Sequence, residues 1–522
     1  MSTRWRHVVW WWLLVACGNG VTARCSCGGL EPVVDESQSA AARVDSHERI
    51  LEGVSRARNP LLWAHHQTLR AHALIELGQT QVDTTHFEHA TDALELALQE
   101  LTREKSPKEW LAAETELGNV LRLRGERETG SDSLERAVSV YRAALAEVSR
   151  AEQPEVWGLL QDNLGTALGA LGQREAGTGR LEEAVLAFRQ ALEERTRVRA
   201  PLDWAMTQNN LGTALQLLGA REGEVSRFNE AAVALQEALK EFTPTRSPAN
   251  WAMAMVNLGT VQAAVGRAEV GTANLERAVS TYGSALVVIT RDAAPERWAI
   301  LQHNLAMALY ALGERETGTA RFVQAREHYG AALTEFTPER APMRWVTVAM
   351  GHADTLRAEG EVGGETARLE QALERYEAIL QVVPRATDAL LWALLQSKRG
   401  VALGLLGTRE AGTAKLEQAV GLYQEALQVV TREGNPLQWA LIQNDLGAEL
   451  RTLSARQRRP PCGAIEAHYQ AAKVAQVASP QLAEKALAQL AQDLKSAVSA
   501  TPASCPAIHP AVWHEIRAAT AP

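Results

Sequence analysis

Nine tryptophans stand in one register: Trp63, Trp110, Trp157, Trp204, Trp251, Trp298, Trp345, Trp392 and Trp439, each 47 residues after the one before. A fixed period of this size constrains the chain to a stack of like units. No single unit is large enough to bury a core alone, so neighbours must share one. Pro201 to Ser247 is one such unit and sets the pattern for the rest.

A proline lies three residues before the tryptophan in eight of the nine units, with Ala389 as the exception. Proline suits the first position of a helix, and Asn59, Ser106, Ser247, Asn435 and Asp388 stand just before that position as expected caps. Apolar residues then follow a helical period, as in Trp157, Leu160, Leu164, Leu168 and Leu171. A glycine falls fifteen residues after the tryptophan in eight units, among them Gly125, Gly172 and Gly266, where a left-handed residue would end the helix. A polar loop follows, then a second apolar face such as Leu134, Ala137, Val138, Tyr141, Ala144, Leu145 and Val148. Two helices per unit predict eighteen in all.

The sequences Asn163-Leu164-Gly165, Asn210-Leu211-Gly212 and Asn257-Leu258-Gly259, followed by the later glycine and then by Ala184, Phe188 and Ala191, resemble the tetratricopeptide repeat. The resemblance covers roughly Pro60 to Gln476 and implies an all-α, right-handed superhelical solenoid of helix-turn-helix repeats. The usual unit has about 34 residues. The longer units here are similar to those of kinesin light chains and of bacterial arrays. Units two to six, Pro107 to Ala341, are close copies; the first, seventh, eighth and ninth depart.

Aromatic residues are only 5% of the chain, and Trp supplies 14 of them against 7 Tyr and 6 Phe, which marks Trp as the seam between units. Burying one Trp, at about 150–250 Å² and about 25 cal/mol/Å², is worth roughly 4–6 kcal/mol as an upper bound. The net charge of −9 brings no basic stripe, so nucleic acid is not an expected partner.

Arg4 and Arg6 precede an apolar run from Val8 to Ala16, too short to cross a bilayer and suited to a signal-peptide core. Leu14-Val15-Ala16-Cys17 resembles the lipobox of bacterial lipoproteins, which implies cleavage before Cys17 and lipidation of its thiol. The chain would then sit at the periplasmic side of a bacterial cell envelope. Cleavage after Val21-Thr22-Ala23 or a cytoplasmic location are the alternatives. In the oxidising compartment so implied, Cys462 and Cys505 could form a disulfide. The expected organisation is a signal segment at 1–16, a flexible tether at 17–45, a capping helix at 46–59, nine repeats at 60–479, and a final helix with a loose tail at 480–522.

Signals for chemistry are thin. Arg-Glu recurs in the loops (Arg127-Glu128, Arg174-Glu175, Arg221-Glu222, Arg315-Glu316, Arg409-Glu410), where loop–loop ion pairs would set the stacking. Cys505 with His509 or His514 is a remote candidate for a thiol–imidazole pair in an effector enzyme. Adjacent His65 and His66 point apart on a helix and make a poor metal site. No catalytic residue, cofactor, metal or small-molecule substrate is expected.

The remaining pattern is a ladder: Asn163, Asn210, Asn257 and Asn304 each lie six residues after their tryptophan. In the tetratricopeptide family this position faces the inner groove and holds peptide backbones. A side-chain amide offers both a donor and an acceptor, so it can pair with any extended chain. Asn209, Thr213, Gln216, His303 and Tyr310 are the expected neighbours, with Asp162 and Thr166 beside them. The same asparagines could instead bond the adjacent helix and fix the stacking. Lys398 and Arg357 read as isolated cations, short of what a carboxylate clamp needs. The reading is a non-catalytic protein- or peptide-binding scaffold, with a structural envelope spacer or self-assembling array as the alternative.

Overall fold

The computed structural model describes residues 39–81, 83–496, 505, 508, 513 and 514. These form twenty helices and, among the described residues, no strand. The first, α1 (Ala40–Gly53), precedes nine consecutive pairs. They are α2 (Pro60–Thr80) with α3 (Thr85–Leu98), α4 (Pro107–Arg127) with α5 (Asp132–Glu147), and α6 (Pro154–Arg174) with α7 (Gly179–Glu194). Next come α8 (Pro201–Glu222) with α9 (Val225–Leu239), α10 (Pro248–Ala268) with α11 (Ala273–Leu286), and α12 (Pro295–Gly313) with α13 (Ala320–Ala332). The last are α14 (Pro342–Gly363) with α15 (Thr366–Val382), α16 (Ala389–Arg409) with α17 (Ala414–Leu427), and α18 (Pro436–Arg456) with α19 (Cys462–Ala478). A final helix, α20 (Pro480–Ser496), follows. The helices belong to two compact bodies that divide between Val261 and Gln262, inside α10. The segment 1–16 and Cys17 lie outside the described residues, as does most of the tail after 496.

Each pair closes on the apolar faces that the helical period marks out. In the third pair Leu160, Leu164, Leu168 and Leu171 of α6 are buried with Leu181, Ala184, Val185, Phe188 and Ala191 of α7. Helix α16 is long and apolar enough to cross a membrane, but it packs in the same way, burying Ala393, Leu395, Ala402 and Leu406.

The recurrent glycine has a different role from helix ending. Gly125, Gly172, Gly266, Gly360 and Gly407 lie inside their helices, and none has a positive φ. A Cβ would sit 2.6 Å from Leu181 Cδ2 at Gly172, 2.7 Å from Leu134 Cγ at Gly125, and 2.7 Å from Phe322 Cε1 at Gly313. The position stays small because the second helix of the pair crosses there, closer than any side chain allows. Left-handed glycines do end two first helices, but one residue beyond them: Gly223 after α8 at φ 71° and Gly364 after α14 at φ 75°.

Carbonyls at or just beyond a first-helix end are met by an arginine at or just beyond the end of the next repeat's first helix, which corrects the expectation of loop–loop ion pairs. In the first body Arg127 donates to the carbonyl oxygens of Gly78 (2.9 Å) and Asp83 (3.1 Å). Arg174 donates to those of Gly125, Glu128 and Gly130, and Arg221 to that of Gly177 (2.6 Å). In the second body Arg315 reaches Gly266 (2.5 Å) and Gly271 (2.8 Å), Arg409 reaches Gly360 (2.7 Å), and Arg456 reaches Thr408 (2.9 Å). A guanidinium at a helix C-terminus satisfies orphan carbonyls and meets the negative end of the helix dipole. The glutamate that follows pairs with the second helix of its own repeat, as Glu222 does with Arg227 at 3.0 Å and Glu316 with Arg321 at 3.0 Å.

The tryptophans are less buried than a seam residue would be. Trp204 and Trp345 are buried at 8% and 7% exposure, while the other seven are half-buried. Four of these seven are covered by an arginine seven residues earlier. Arg56 lies 4.7 Å from the Trp63 ring centre, Arg150 4.7 Å from Trp157, Arg291 5.6 Å from Trp298, and Arg385 5.0 Å from Trp392. Three of these guanidiniums also pair with a glutamate 44 residues on: Arg56 with Glu100 (2.8 Å), Arg150 with Glu194 (2.8 Å) and Arg291 with Glu335 (2.6 Å). The tryptophan is a platform for an ion pair that links the loops at the two ends of one repeat, so the burial bound above overstates its apolar share.

Two further expectations are corrected. Asn59, Ser106 and Asn435 make no side-chain cap, because their ψ of about 65° turns the side chain away from the first turn. Asp388 does cap, accepting from the Leu391 amide at 2.9 Å. The tether does not extend to residue 45, since α1 begins at Ala40. Ser39 caps it by accepting from the Ala42 amide at 3.3 Å, and Val44 and His47 are buried.

Candidate functional site

The ladder asparagines share a position in successive first helices, but the structure gives them unlike surroundings. In the first body Asn257 of α10 donates to Asn209 Oδ1 (3.0 Å) and to Thr213 Oγ1 (3.3 Å), both on α8. Thr213 donates onward to the Asn209 carbonyl at 3.0 Å, and Asn209 Nδ2 reaches Asn210 Oδ1 at 3.5 Å. Asn209 is itself only 3% exposed, so it serves helix stacking and offers nothing to a ligand. Asn163 on α6 and Gln216 on α8 are half-buried and make no hydrogen bond among the described residues. Thr166 donates to the Asp162 carbonyl at 2.9 Å. The carboxylate of Asp162 is paired with Arg195 at 2.8 Å and is not available on this face.

In the second body Asn304 is half-buried and likewise makes no hydrogen bond among the described residues. His303 packs against Tyr329 with ring centres 5.6 Å apart, and burial lowers its pKa, which favours the neutral ring. Tyr310 lies edge-on to Phe322 at 5.6 Å, and burial raises its phenol well above the ordinary range. His303 and Tyr310 are therefore packed aromatic groups more than free specificity contacts.

Asn257–Thr213 is one of three instances of a recurring relation. In each, the residue nine after one tryptophan bonds the residue six after the next, 44 positions on. In the first repeats the pair is His72 and Glu116, at 2.9 Å. Burial works against charge on His72, but its bonds to Glu116 and Glu76 outweigh this and hold its pKa at about 10. In the later repeats the pair is Asp354 and Lys398, at 2.8 and 2.9 Å, with Tyr376 donating to the same carboxylate at 2.5 Å. Lys398 is therefore paired, and so is Arg357, with Glu361 at 2.6 Å. Neither is the isolated cation read from the sequence. The signal that could have found these contacts is the opposite-charge pairing at a constant separation.

Cys462 and Cys505 are joined by a disulfide, with Cα atoms 5.4 Å apart. Cys505 is buried with Ile508 and Trp513 against Ile465, Tyr469 and Leu490. This corrects the thiol–imidazole candidate, because a sulfur held in a disulfide is not a nucleophile; His509 lies outside the described residues. Among the described residues no group of three or more His, Cys, Asp or Glu could hold a metal ion.

Together these features define a class: an all-α protein of tandem helix pairs, with polar contacts that recur between successive first helices. No protein-family model matches the chain, and no curated protein matches its sequence. Solved structures similar to it include the C-terminal part of a TPR repeat-containing protein from Cytophaga hutchinsonii, at 12% identity and a TM-score of 0.39, over 60% of this chain and 95% of that one. Another is a Rap protein complexed with Competence and Sporulation Factor, at 12% identity and a TM-score of 0.43, over 82% and 99%. A third is a human IFIT1 dimer with PPP-AAAA, at 16% identity and a TM-score of 0.40, over 90% and 96%.

Proposed function

We propose that the chain is a non-catalytic scaffold that binds an extended protein or peptide segment along the first-helix face of its first body. The observation that carries this is the half-exposed pair Asn163 and Gln216, whose amides are unbonded among the described residues, while Asn257 in the same register is engaged. Helices packed side by side lie about 8–10 Å apart. An extended chain rises about 3.3 Å per residue, so successive rungs would meet about every third ligand residue. Each backbone hydrogen bond contributes about 0.5–1.5 kcal/mol net, which makes for modest, sequence-tolerant affinity. The experiment is selection of binders from a displayed library of unstructured peptides. Asn163→Ala with Gln216→Ala should weaken the selected peptides about tenfold with the melting curve unchanged, and Asn257→Ala should lower the melting temperature. Binding that ignores the first pair sinks the reading.

The second reading, a spacer without a dedicated ligand, is favoured by the Asn257, His72–Glu116 and Asp354–Lys398 bonds, which use the ladder register for stacking. It predicts that no library peptide is enriched.

We further propose that the protein is lipid-anchored through Cys17 at the periplasmic side of a bacterial envelope. Supporting this are the apolar run before Cys17 and the Cys462–Cys505 disulfide, a bond that persists in oxidising compartments. Cys17→Ala should move the protein from the membrane to the soluble fraction, and unchanged fractionation would count against the anchor.

A further inference from the structure

The second body holds a cavity of about 350 Å³ that the stacking contacts do not use. Its polar lining comes from three helices: Arg326 on α13, His352 on α14, and Gln371, Glu374 and Arg375 on α15. The volume falls at the small end of the range for small-molecule sites.

Several of these groups have capacity the protein does not use. Arg375 is half-buried and makes no ion pair or hydrogen bond among the described residues. His352 Nδ1 is buried without a hydrogen-bond partner. Arg326 is held from one edge only: its Nε donates to Glu359 Oε2 at 2.8 Å. That carboxylate is 4% exposed and also takes Arg368 at 3.0 Å, so one buried negative charge faces two guanidiniums. Glu374 is exposed and forms no ion pair among the described residues. The lining thus brings together two guanidiniums, one of them unpaired, and a buried imidazole nitrogen without a partner, alongside the single carboxylate of Glu374. Burial, and then the nearby Arg375 and Arg326, hold His352 down to about 4, so at neutral pH its ring is uncharged and can donate or accept.

We propose that this cavity binds a small oxyanion-bearing molecule, its phosphate or carboxylate group held between Arg326 and Arg375 with His352 and Gln371 as neutral partners. Guanidinium suits this task because its planar fork donates in parallel to two oxygens of one group. The volume leaves room for a short organic body beside the anionic group.

The test is calorimetric titration of the full chain with inorganic phosphate in one arm and succinate in the other, each at matched ionic strength in chloride. One saturable site is expected. Saturation by phosphate assigns a phosphate group, and saturation by succinate alone assigns a carboxylate. Arg326→Gln also unties Glu359 and could lower stability by itself, so Arg375→Gln, which breaks no bond within the described protein, is the deciding variant. It should weaken binding about tenfold or more, the effect of losing a charge-assisted contact. No saturation by either probe, or saturation that Arg375→Gln leaves unchanged, overturns the proposal.

Discussion

Arg127 of the second repeat donates to the carbonyl oxygen of Gly78 in the first, 49 residues away, at 2.9 Å. The cap of one helix is therefore supplied by the next repeat. The same relation recurs at Arg174 and Gly125 in the first body, and at Arg315 with Gly266 and Arg409 with Gly360 in the second. It makes stacking and helix termination one event.

Arg174 reaches three carbonyls of the preceding repeat, so Arg174→Ala should lower stability by about 1.5–3 kcal/mol, the range for hydrogen bonds to a charged group. Arg174→Lys should restore only part, since an ammonium cannot fork across three acceptors. Hydrogen exchange read at the last turn of α4 is the measurement, because an array need not unfold in one step. Exchange there that matches the parent would dismiss the capping role.

Two glycines of α6 should respond with opposite signs to alanine. At Gly172 a Cβ meets Leu181 Cδ2 at 2.6 Å, and overpacking of this kind costs about 1–3 kcal/mol. At Gly169 a Cβ has nothing within 4 Å, so alanine should stabilise by the helix-propensity difference of about 1 kcal/mol. Denaturant midpoints of the two variants against the parent decide it, and a shared sign would show that packing does not set the glycine position.

Glu449 sets a pH dependence. Burial, and then the charge of Asp445, push its carboxyl up to about 7 from an ordinary 4.5. The folded protein holds this proton more tightly than the unfolded chain does. Its contribution to stability is therefore full below about pH 4.5 and lost as the pH rises to about 7. His352 and His47, lowered to about 4 chiefly by burial, work in the opposite sense, weakening the fold as pH falls below 6.5. Glu449→Gln isolates the first effect. Its melting temperature should exceed that of the parent at pH 8 and match it near pH 5, and an equal difference at both would exclude the linkage.

The helix pairs are legible in the 47-residue spacing because apolar period and proline placement both depend on local geometry. The role of the later glycine is not, since a left-handed end and a close crossing both demand the smallest residue. What separates them is the bulky residue nine positions on, as in Gly125 and Leu134 or Gly172 and Leu181, whose contact only the fold reveals. The ladder divides for a similar reason. Asn257 and Asn163 occupy the same register, yet Asn209 and Thr213 stand within reach of Asn257, while Asn163 makes no hydrogen bond among the described residues. Identical letters in a repeat do not guarantee identical neighbours when the unit before them differs.

The arginine caps point one way. Within either body each of these arginines reaches the repeat before its own, never the one after, so the two ends of such a run are not equivalent. Removing a repeat from the N-terminal end leaves an arginine facing water, which solvates it readily. Removal from the C-terminal end leaves a helix with bare carbonyls. Such a polymer of repeats has a direction in which it frays, and its weak end is where Cys462 and Cys505 tie the final helices together.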